Sequence, residues 1–225
     1  MMTFIGNDIV DLTDPGNIGK SRDHRFQQRV FTPSERECIA AAAEPDVILW
    51  ALWAAKETAY KIASKRDVLA VFSPRLYPAV LYPGTHGPTR SGMVYPPQGP
   101  VAIRVYIAPD HLHCIGATLL PGILDEVLWE VKRLPPAKAG GHHDPSMEVR
   151  RLAGRRLAAI LDKPAVDIDI RRFNDIDKWG PPTTYIEGQP APFDLSLSHD
   201  GAFVACAMFP ATHEGMSRHL PVYTG

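Results

Sequence analysis

The chain is poor in cysteine: Cys38, Cys114 and Cys206 are the three among 225 residues. An odd, widely spaced set implies no disulfide framework and fits a reducing compartment. Net charge is also missing, since 24 Lys+Arg against 25 Asp+Glu leave −1 at pH 7. That balance argues against bulk electrostatic binding to nucleic acid or a membrane. The longest apolar run, VILWALWAA, is too short to span a bilayer. The N-terminal MMTFIGNDIVDL turns acidic within a few residues and has no basic start or long apolar core, so it is not expected to be a signal peptide. No P-loop occurs, and no Gly-x-Gly-x-x-Gly follows a strand. Histidines in HLHC (111–114) and at His142-His143 lack a second Cys/His pair at zinc-ligand spacing. Hydrophobic content of 45% and charged content of 22% are those of a soluble globular protein, expected to be cytoplasmic and long enough to bury a core without staples.

Against these absences, several segments carry clear signals. FIGNDIVDL has the β-branched, apolar density of a buried strand with Asp8 in its middle. A buried carboxylate needs a counter-charge or a metal. GNIGKSRDHRFQQRV is polar and basic. FTPSERECIAAAA carries a helix start, with Thr32 as N-cap, Pro33 at the first helical position and Glu35 closing a capping box. That helix should stop near Glu44-Pro45, and Asp46 is placed to cap the next, VILWALWAAKETAYKIASK. From about Asp67 to Leu120 the chain reads as strands (AVFSPRLYPAVLY, GPVAIRVYIAP, LHCIGATLL), with an irregular loop over LYPGTHGPTRSGMVYPPQGP. RLPPAKAGGHHDPS reads as a linker. Asp144 and Pro145 then start SMEVRRLAGRRLAAILDK, whose Val149, Leu152, Ala153, Leu157, Ile160 and Leu161 share a face. VDIDIRRF and FDLSLSHDGAFVACAMF read as strands. Each half therefore runs helix first and strands after, which predicts an α+β protein of two similar halves; HLHCIGATLLP and GAFVACAMFP have comparable apolar patterns.

Four features are candidates for chemistry. Asp8 is either a strand carboxylate paired with a cationic side chain or a metal ligand. Glu57 and Lys61, one helical turn apart, are either an ordinary helix ion pair or a ligand-holding pair; Trp50, Trp53 and Tyr60 around them mark a buried helix. In SLSHDG, Ser198, His199 and Asp200 are consecutive, so neighbouring side chains point to opposite faces and cannot form a hydrolytic triad. They form either a plain turn or an anion-binding strand end. The arginines of 150–156 are by themselves a solvated helix face.

Together these blocks resemble the 4′-phosphopantetheinyl transferase superfamily. IGNDIVDL is similar to its N-terminal strand, whose aspartate binds magnesium. FTPSERE followed by LWAAKETAYK is similar to its aromatic-x-x-Lys-Glu-x-x-x-Lys helix. FDLSLSHDGAFVACA resembles its Ser-His strand, VRRLAGRRL its arginine helix, and EGQP its Gly-Lys-Pro turn. The resemblance implies a 4′-phosphopantetheinyl transferase-like fold of two α+β lobes related by a pseudo-two-fold. One lobe is expected over 1–122, a linker over 123–146, the second lobe over 147–212 and a tail over 213–225. It implies metal ligation by Asp8 and Glu57, catalysis by Asp8, Glu57 and Lys61, and coenzyme contacts from Lys61, Lys56, Arg150, Gly188, Gln189, Pro190, Ser198 and His199. The expected cofactor is Mg²⁺, the substrate coenzyme A and the partner an apo acyl or peptidyl carrier protein, docked on a basic surface of Lys61, Lys65 and Arg66. In a ligand-free protein, Glu57 and Lys61 are expected to pair. Three departures matter: Gln189 replaces the lysine of the turn, Val10 stands where large monomeric members often have a third acidic ligand, and the lobe order is swapped relative to those members. A non-catalytic carrier-protein or coenzyme A binder and a Mg²⁺-dependent nucleotide-diphosphate hydrolase are the rival readings.

Overall fold

The computed structural model describes residues 3–83, 88–118, 122–136, 144–172, 174–175 and 178–210. His142-His143 and the tail from 213 fall outside them. The first half runs β1 (Ile5–Asp11), α1 (His24–Val30), α2 (Pro33–Ala41), α3 (Pro45–Arg66), β2 (Ala79–Leu81), β3 (Thr89–Val94), β4 (Val101–Ile107) and β5 (His111–Thr118). The second runs α4 (Ile123–Glu126), β6 (Leu128–Arg133), α5 (Pro145–Leu161), β7 (Ile168–Arg171), a small pair β8 (Asn174–Asp175) and β9 (Lys178–Trp179), β10 (Thr183–Ile186), β11 (Gln189–Asp200) and β12 (Phe203–Pro210).

Two five-stranded antiparallel sheets result, ordered β1-β5-β4-β3-β2 and β6-β12-β11-β10-β7. The orders are one pattern written twice. In each lobe a first strand leads into a long helix, a four-strand meander follows, and the last strand returns to pair with the first. The protein is therefore α+β and two-lobed, with the repeated connectivity that a pseudo-two-fold requires. The two segments compared by apolar pattern, HLHCIGATLLP and GAFVACAMFP, contain the matching strands β5 and β12.

Local chemistry explains the elements. Thr32 accepts from the Glu35 amide while Glu35 Oε2 accepts from the Thr32 amide at 2.7 Å, a complete capping box that starts α2. Asp144 caps α5 by accepting from Ser146 and Met147. Asp46 does not cap α3; its carboxylate accepts from the Gly19 and Ser21 amides at 2.7 and 2.6 Å and pins the basic segment to the helix start. Gly6 and Gly116 face each other across β1 and β5. A Cβ on Gly6 would collide with the Thr58 carbonyl oxygen, and one on Gly116 with the Thr58 methyl. Glycine at these two positions lets α3 lie close over β1.

Two expected irregular stretches contain strands. β3 lies inside the segment read as a loop, pairing with β2 and β4. Within 123–146, β6 is the edge strand of the second sheet, pairing with β12. Neighbouring Pro and Gly masked the alternation of both.

The lobes meet along β1 and the β11–β12 hairpin, and the joint has an apolar and a polar layer. Ile5, Ile115 and Ala117 pack with Ala207 and Phe209, and Ile9 with Phe203 and Ala205. The polar layer satisfies the outer edge of β1. The amides of Ile5, Asn7 and Asp11 donate to Asp194 Oδ2 (2.6 Å), Ser196 Oγ (2.9 Å) and Asp200 Oδ2 (2.8 Å). Side chains from one face of β11 thus occupy backbone donors that an exposed edge would offer to another chain. Lys65, with 4% of its side chain exposed, locks this seam: it bonds Asp194 Oδ1, Ile5 O and Leu195 O at 2.7–2.8 Å.

Candidate functional site

A cleft opens on this seam, beside Asp8. One chamber, about 310 Å³, is lined by Asp8, Asn17, Phe26, Trp50, Trp53, Glu57, His199 and Asp200. The other, about 220 Å³, is lined by Asp8, Lys61, Ser146, Val149, Arg150, Arg172, Leu197, Ser198 and His199. Asp8 and His199 belong to both, so the chambers are two ends of one site, with walls from both lobes.

The acidic end is built from β1 and α3. Asp8 is exposed by only 14% of its side chain, and Lys61 Nζ reaches it at 2.9 Å while also donating to Asn7 O at 2.8 Å. Lys61 therefore pairs with Asp8 rather than with Glu57, contrary to the expected helix pair; the close approach of α3 puts the strand carboxylate within its reach. Burial raises the Asp8 pKa against the opposing pull of Lys61. Burial pushes Glu57 up to about 7, and the negative charge of Asp8 adds to that while Lys61 works against it. Two carboxyls that resist ionising beside each other form a donor set that a cation would relieve. Oxygen donors of this kind suit a hard divalent ion such as Mg²⁺, which takes one or two carboxylates and fills its other positions with phosphates and water. Among the described residues no group of three or more His, Cys, Asp or Glu side chains converges as a metal site.

The basic end combines Lys61 with Arg150 and Arg172 near the start of α5. Arg150 donates to Ser146 O and Oγ, both at 2.9 Å, which holds its guanidinium at the N-terminal turn of a 17-residue helix. Positive side chains and the helix N-terminus together favour an anion. Arg172 has its pKa lowered by burial and then by the positive charge of Arg150. His199 is held below its ordinary value by burial and then by Lys61 and Arg172. A bound anion would offset this crowding of cations. Ser198, 5% exposed, accepts at Oγ from Asn7 Nδ2 at 2.9 Å.

Asp8, Glu57, Lys61, Arg150, Ser198 and His199 are thus gathered from four elements around one cleft. Lys56 is not among them. It is fully buried, ion-paired with Glu35 at 2.7 Å and bonded to the carbonyls of Pro74 and Tyr77. Its position before Glu57 turns it about 100° around α3, into the core, where it ties α2 to the loop before β2. Gly188, Gln189 and Pro190 form and follow the tight turn between β10 and β11, where Glu187 and Gly188 have positive φ. Ser198 is nine residue steps along β11 from Gln189, about 30 Å at the usual rise, so this turn is not part of the cleft. Arg172, Ser146 and Asn7 were missed, and Asp200, read as part of the turn after His199, lines the first chamber. Arg172 follows an alternating strand as a second consecutive arginine, and Asn7 directly precedes Asp8; neither carries a spacing signal that would single it out.

Residues 4–73 match the family model of the 4′-phosphopantetheinyl transferase superfamily. The matched segment contains β1 and all of α3, and so Asp8, Glu57 and Lys61. No curated protein matches the chain. The superfamily match supports a phosphopantetheinyl transferase, and the two-lobed α+β architecture is consistent with it. Among the described residues no helix is long and apolar enough to cross a membrane.

Proposed function

We propose that the protein transfers the 4′-phosphopantetheine group of coenzyme A to a serine of an apo acyl or peptidyl carrier protein, releasing 3′,5′-ADP, with Mg²⁺ as cofactor. The observation that carries this reading is the juxtaposition in one cleft of two pKa-raised carboxyls, Asp8 and Glu57, with an anion-favouring wall of Lys61, Arg150 and Arg172. Such a site accepts a diphosphate together with a cation.

In the reaction the carrier serine oxygen bonds to the β-phosphorus of coenzyme A. The bond from that phosphorus to the bridging oxygen breaks, and the electron pair leaves with 3′,5′-ADP. Asp8 and Glu57 would hold Mg²⁺, which when bound neutralises charge on the diphosphate. Lys61 acts as a point charge on a phosphate oxygen. Arg150, Arg172, Ser198 and His199 grip the nucleotide phosphate, with the N-terminus of α5 behind it. Glu57 is the carboxylate available to take the serine proton. Positioning and charge stabilisation supply most of the rate in such transfers.

The carrier would meet the rim of the aromatic chamber. Asn17 and Phe26 line that chamber, and the segment between and after them exposes Ile18, Arg22, Arg25 and Arg29. A basic rim with one apolar contact suits an acidic carrier surface. Lys65 cannot serve there, since its ammonium is spent inside the seam.

The test is incubation with coenzyme A, Mg²⁺ and a panel of apo carriers, followed by mass spectrometry. A phosphopantetheine mass increment on a carrier supports the proposal. Hydrolysis of coenzyme A with no carrier modified would replace transferase by hydrolase.

A further inference from the structure

Asn7 has a side chain for which the chemistry above has no use, yet it is fully buried and touches both lobes. Its Nδ2 lies 2.9 Å from Ser198 Oγ and 3.1 Å from His113 Nε2. Its backbone amide donates to Ser196 Oγ and its carbonyl accepts from Lys61 Nζ at 2.8 Å. One residue therefore touches the lysine of the acidic end and the serine of the basic end.

With the Asn7 amide turned so that Nδ2, and not Oδ1, faces Ser198 and His113, donor counting sets the direction of these hydrogen bonds. An amide NH₂ has two protons and no acceptor capacity. One proton goes to His113 Nε2, so that nitrogen is the acceptor and the ring proton sits on Nδ1. Burial pushes His113 down to about 3, so the ring is neutral and stays an acceptor at physiological pH. The second proton goes to Ser198 Oγ and occupies one of its lone pairs. Ser198 must then send its own proton elsewhere. Its protein acceptor is Ala205 O at 3.5 Å, at the outer limit for an O–H···O bond. Ser198 also lines the basic chamber, so a closer acceptor there would capture the proton.

We propose that Asn7 is a positioning residue that holds Ser198 as a hydrogen-bond donor toward an anionic oxygen of the ligand in the basic chamber. The inference rests on the nucleotide-phosphate reading of that chamber. Without the Asn7 amide, the Ser198 hydroxyl is free to rotate and to face the ligand with a lone pair. Asn7 also fixes the distance between the two ends of the site, because its carbonyl holds Lys61 while its amide holds Ser198.

The experiment is a double-mutant cycle on coenzyme A binding, read by calorimetry in the full chain. It compares Asn7→Leu, a near-isostere without donors, with Ser198→Ala and the double variant, each first checked for folding by thermal melting. Each single substitution is expected to weaken binding by about tenfold, the size of one hydrogen bond to a charged group. The double variant is expected to be no weaker than Ser198→Ala alone, since Asn7 acts through that hydroxyl. Weakening that multiplies to about a hundredfold overturns the inference and leaves the function standing. A wild-type protein that binds no coenzyme A overturns the function itself. Should Asn7→Leu not fold, the asparagine side-chain NH₂ resonances of ¹⁵N-labelled protein decide the coupling. The Asn7 pair is expected to shift on Ser198→Ala and on addition of coenzyme A; no shift in either case overturns the proposal.

Discussion

The two lobes repeat one topology, but among the described residues their two equivalent corners differ: one opens on the cleft beside Asp8, and the other is closed by stacked rings. In the first lobe Asp8 lies opposite Cys114 in the β1–β5 pair; in the second, Glu130 lies opposite Cys206 in the β6–β12 pair. Each carboxylate is met by a cation from its lobe's long helix, Lys61 at 2.9 Å and Arg156 at 4.0 Å. Counting from those cations, the buried positions Ala54, Thr58, Ala59, Ile62 and Ala63 of α3 correspond to the buried Val149, Ala153, Gly154, Leu157 and Ala158 of α5. Glu57 then corresponds to Leu152, which is buried. The second lobe keeps a strand carboxylate and a helix cation but has an apolar side chain where the second carboxylate would be.

The neighbouring contact diverges in the same direction. Asn7 matches Trp129 and Ser198 matches Tyr106 by strand register. Where the first pair makes a hydrogen bond beside a cleft, the second stacks two rings with centroids 4.6 Å apart, and His113 packs on Trp129 at 5.1 Å. One corner is charged and open; its counterpart is stapled by aromatic contact. What separates them is a handful of side chains on a shared backbone plan.

The sharpest test of this asymmetry exchanges the residues that define it. Glu57→Leu, which gives α3 the side chain of its α5 counterpart, and Asp8→Ala are each expected to reduce transfer by about a thousandfold or more with little loss of helical circular dichroism; retention of transfer in either variant breaks the metal assignment. Next in size, Lys61→Met is expected to cost about a hundredfold in kcat/KM. The matched Arg156→Met should stay within about twofold, and a comparable loss there would mean that the second corner also contributes to the chemistry.

Stability should show the opposite bias. Leu152→Ala in the sealed corner is expected to cost about 2–5 kcal/mol in denaturant unfolding and leave kcat unchanged. A smaller effect comes from Glu57 itself. Its pKa of about 7 lies above the ordinary 4.5, so the folded state holds the proton more tightly than the unfolded one. The destabilisation is therefore absent below pH 4.5, grows through the interval and is complete above 7, reaching on the order of 3 kcal/mol. In Mg²⁺-free buffer Glu57→Gln is expected to melt higher than wild type at pH 8 and equally at pH 4.5. Equal melting at both would show that Glu57 carries no such strain.

Much of the acidic end was legible because its signals are local. Asp8 in an apolar strand and Glu57 four residues before Lys61 are visible within short windows, and Thr32-Glu35 and Asp144-Pro145 announce their helices. Partners across the fold were not legible. Lys56 and Lys65 look like surface cations in sequence, yet one neutralises Glu35 in the core and the other Asp194 in the seam. Arg172 joins the basic chamber through β7, 22 residues after Arg150, at no characteristic spacing. The strands β3 and β6 depend on pairing with distant chain, and the prolines and glycines around them outweighed their alternation.

The alternate-residue contacts between β11 and β1 have a mechanical consequence. Ser198 and His199 sit on the same strand whose Asp194, Ser196 and Asp200 hold the first lobe. Prising the lobes apart would strip three backbone donors and the Lys65 ammonium of their partners together, so the seam behaves as a weld and not as a hinge. Any ligand of the cleft must therefore come and go sideways, through the mouths of the two chambers, while the walls stay shut.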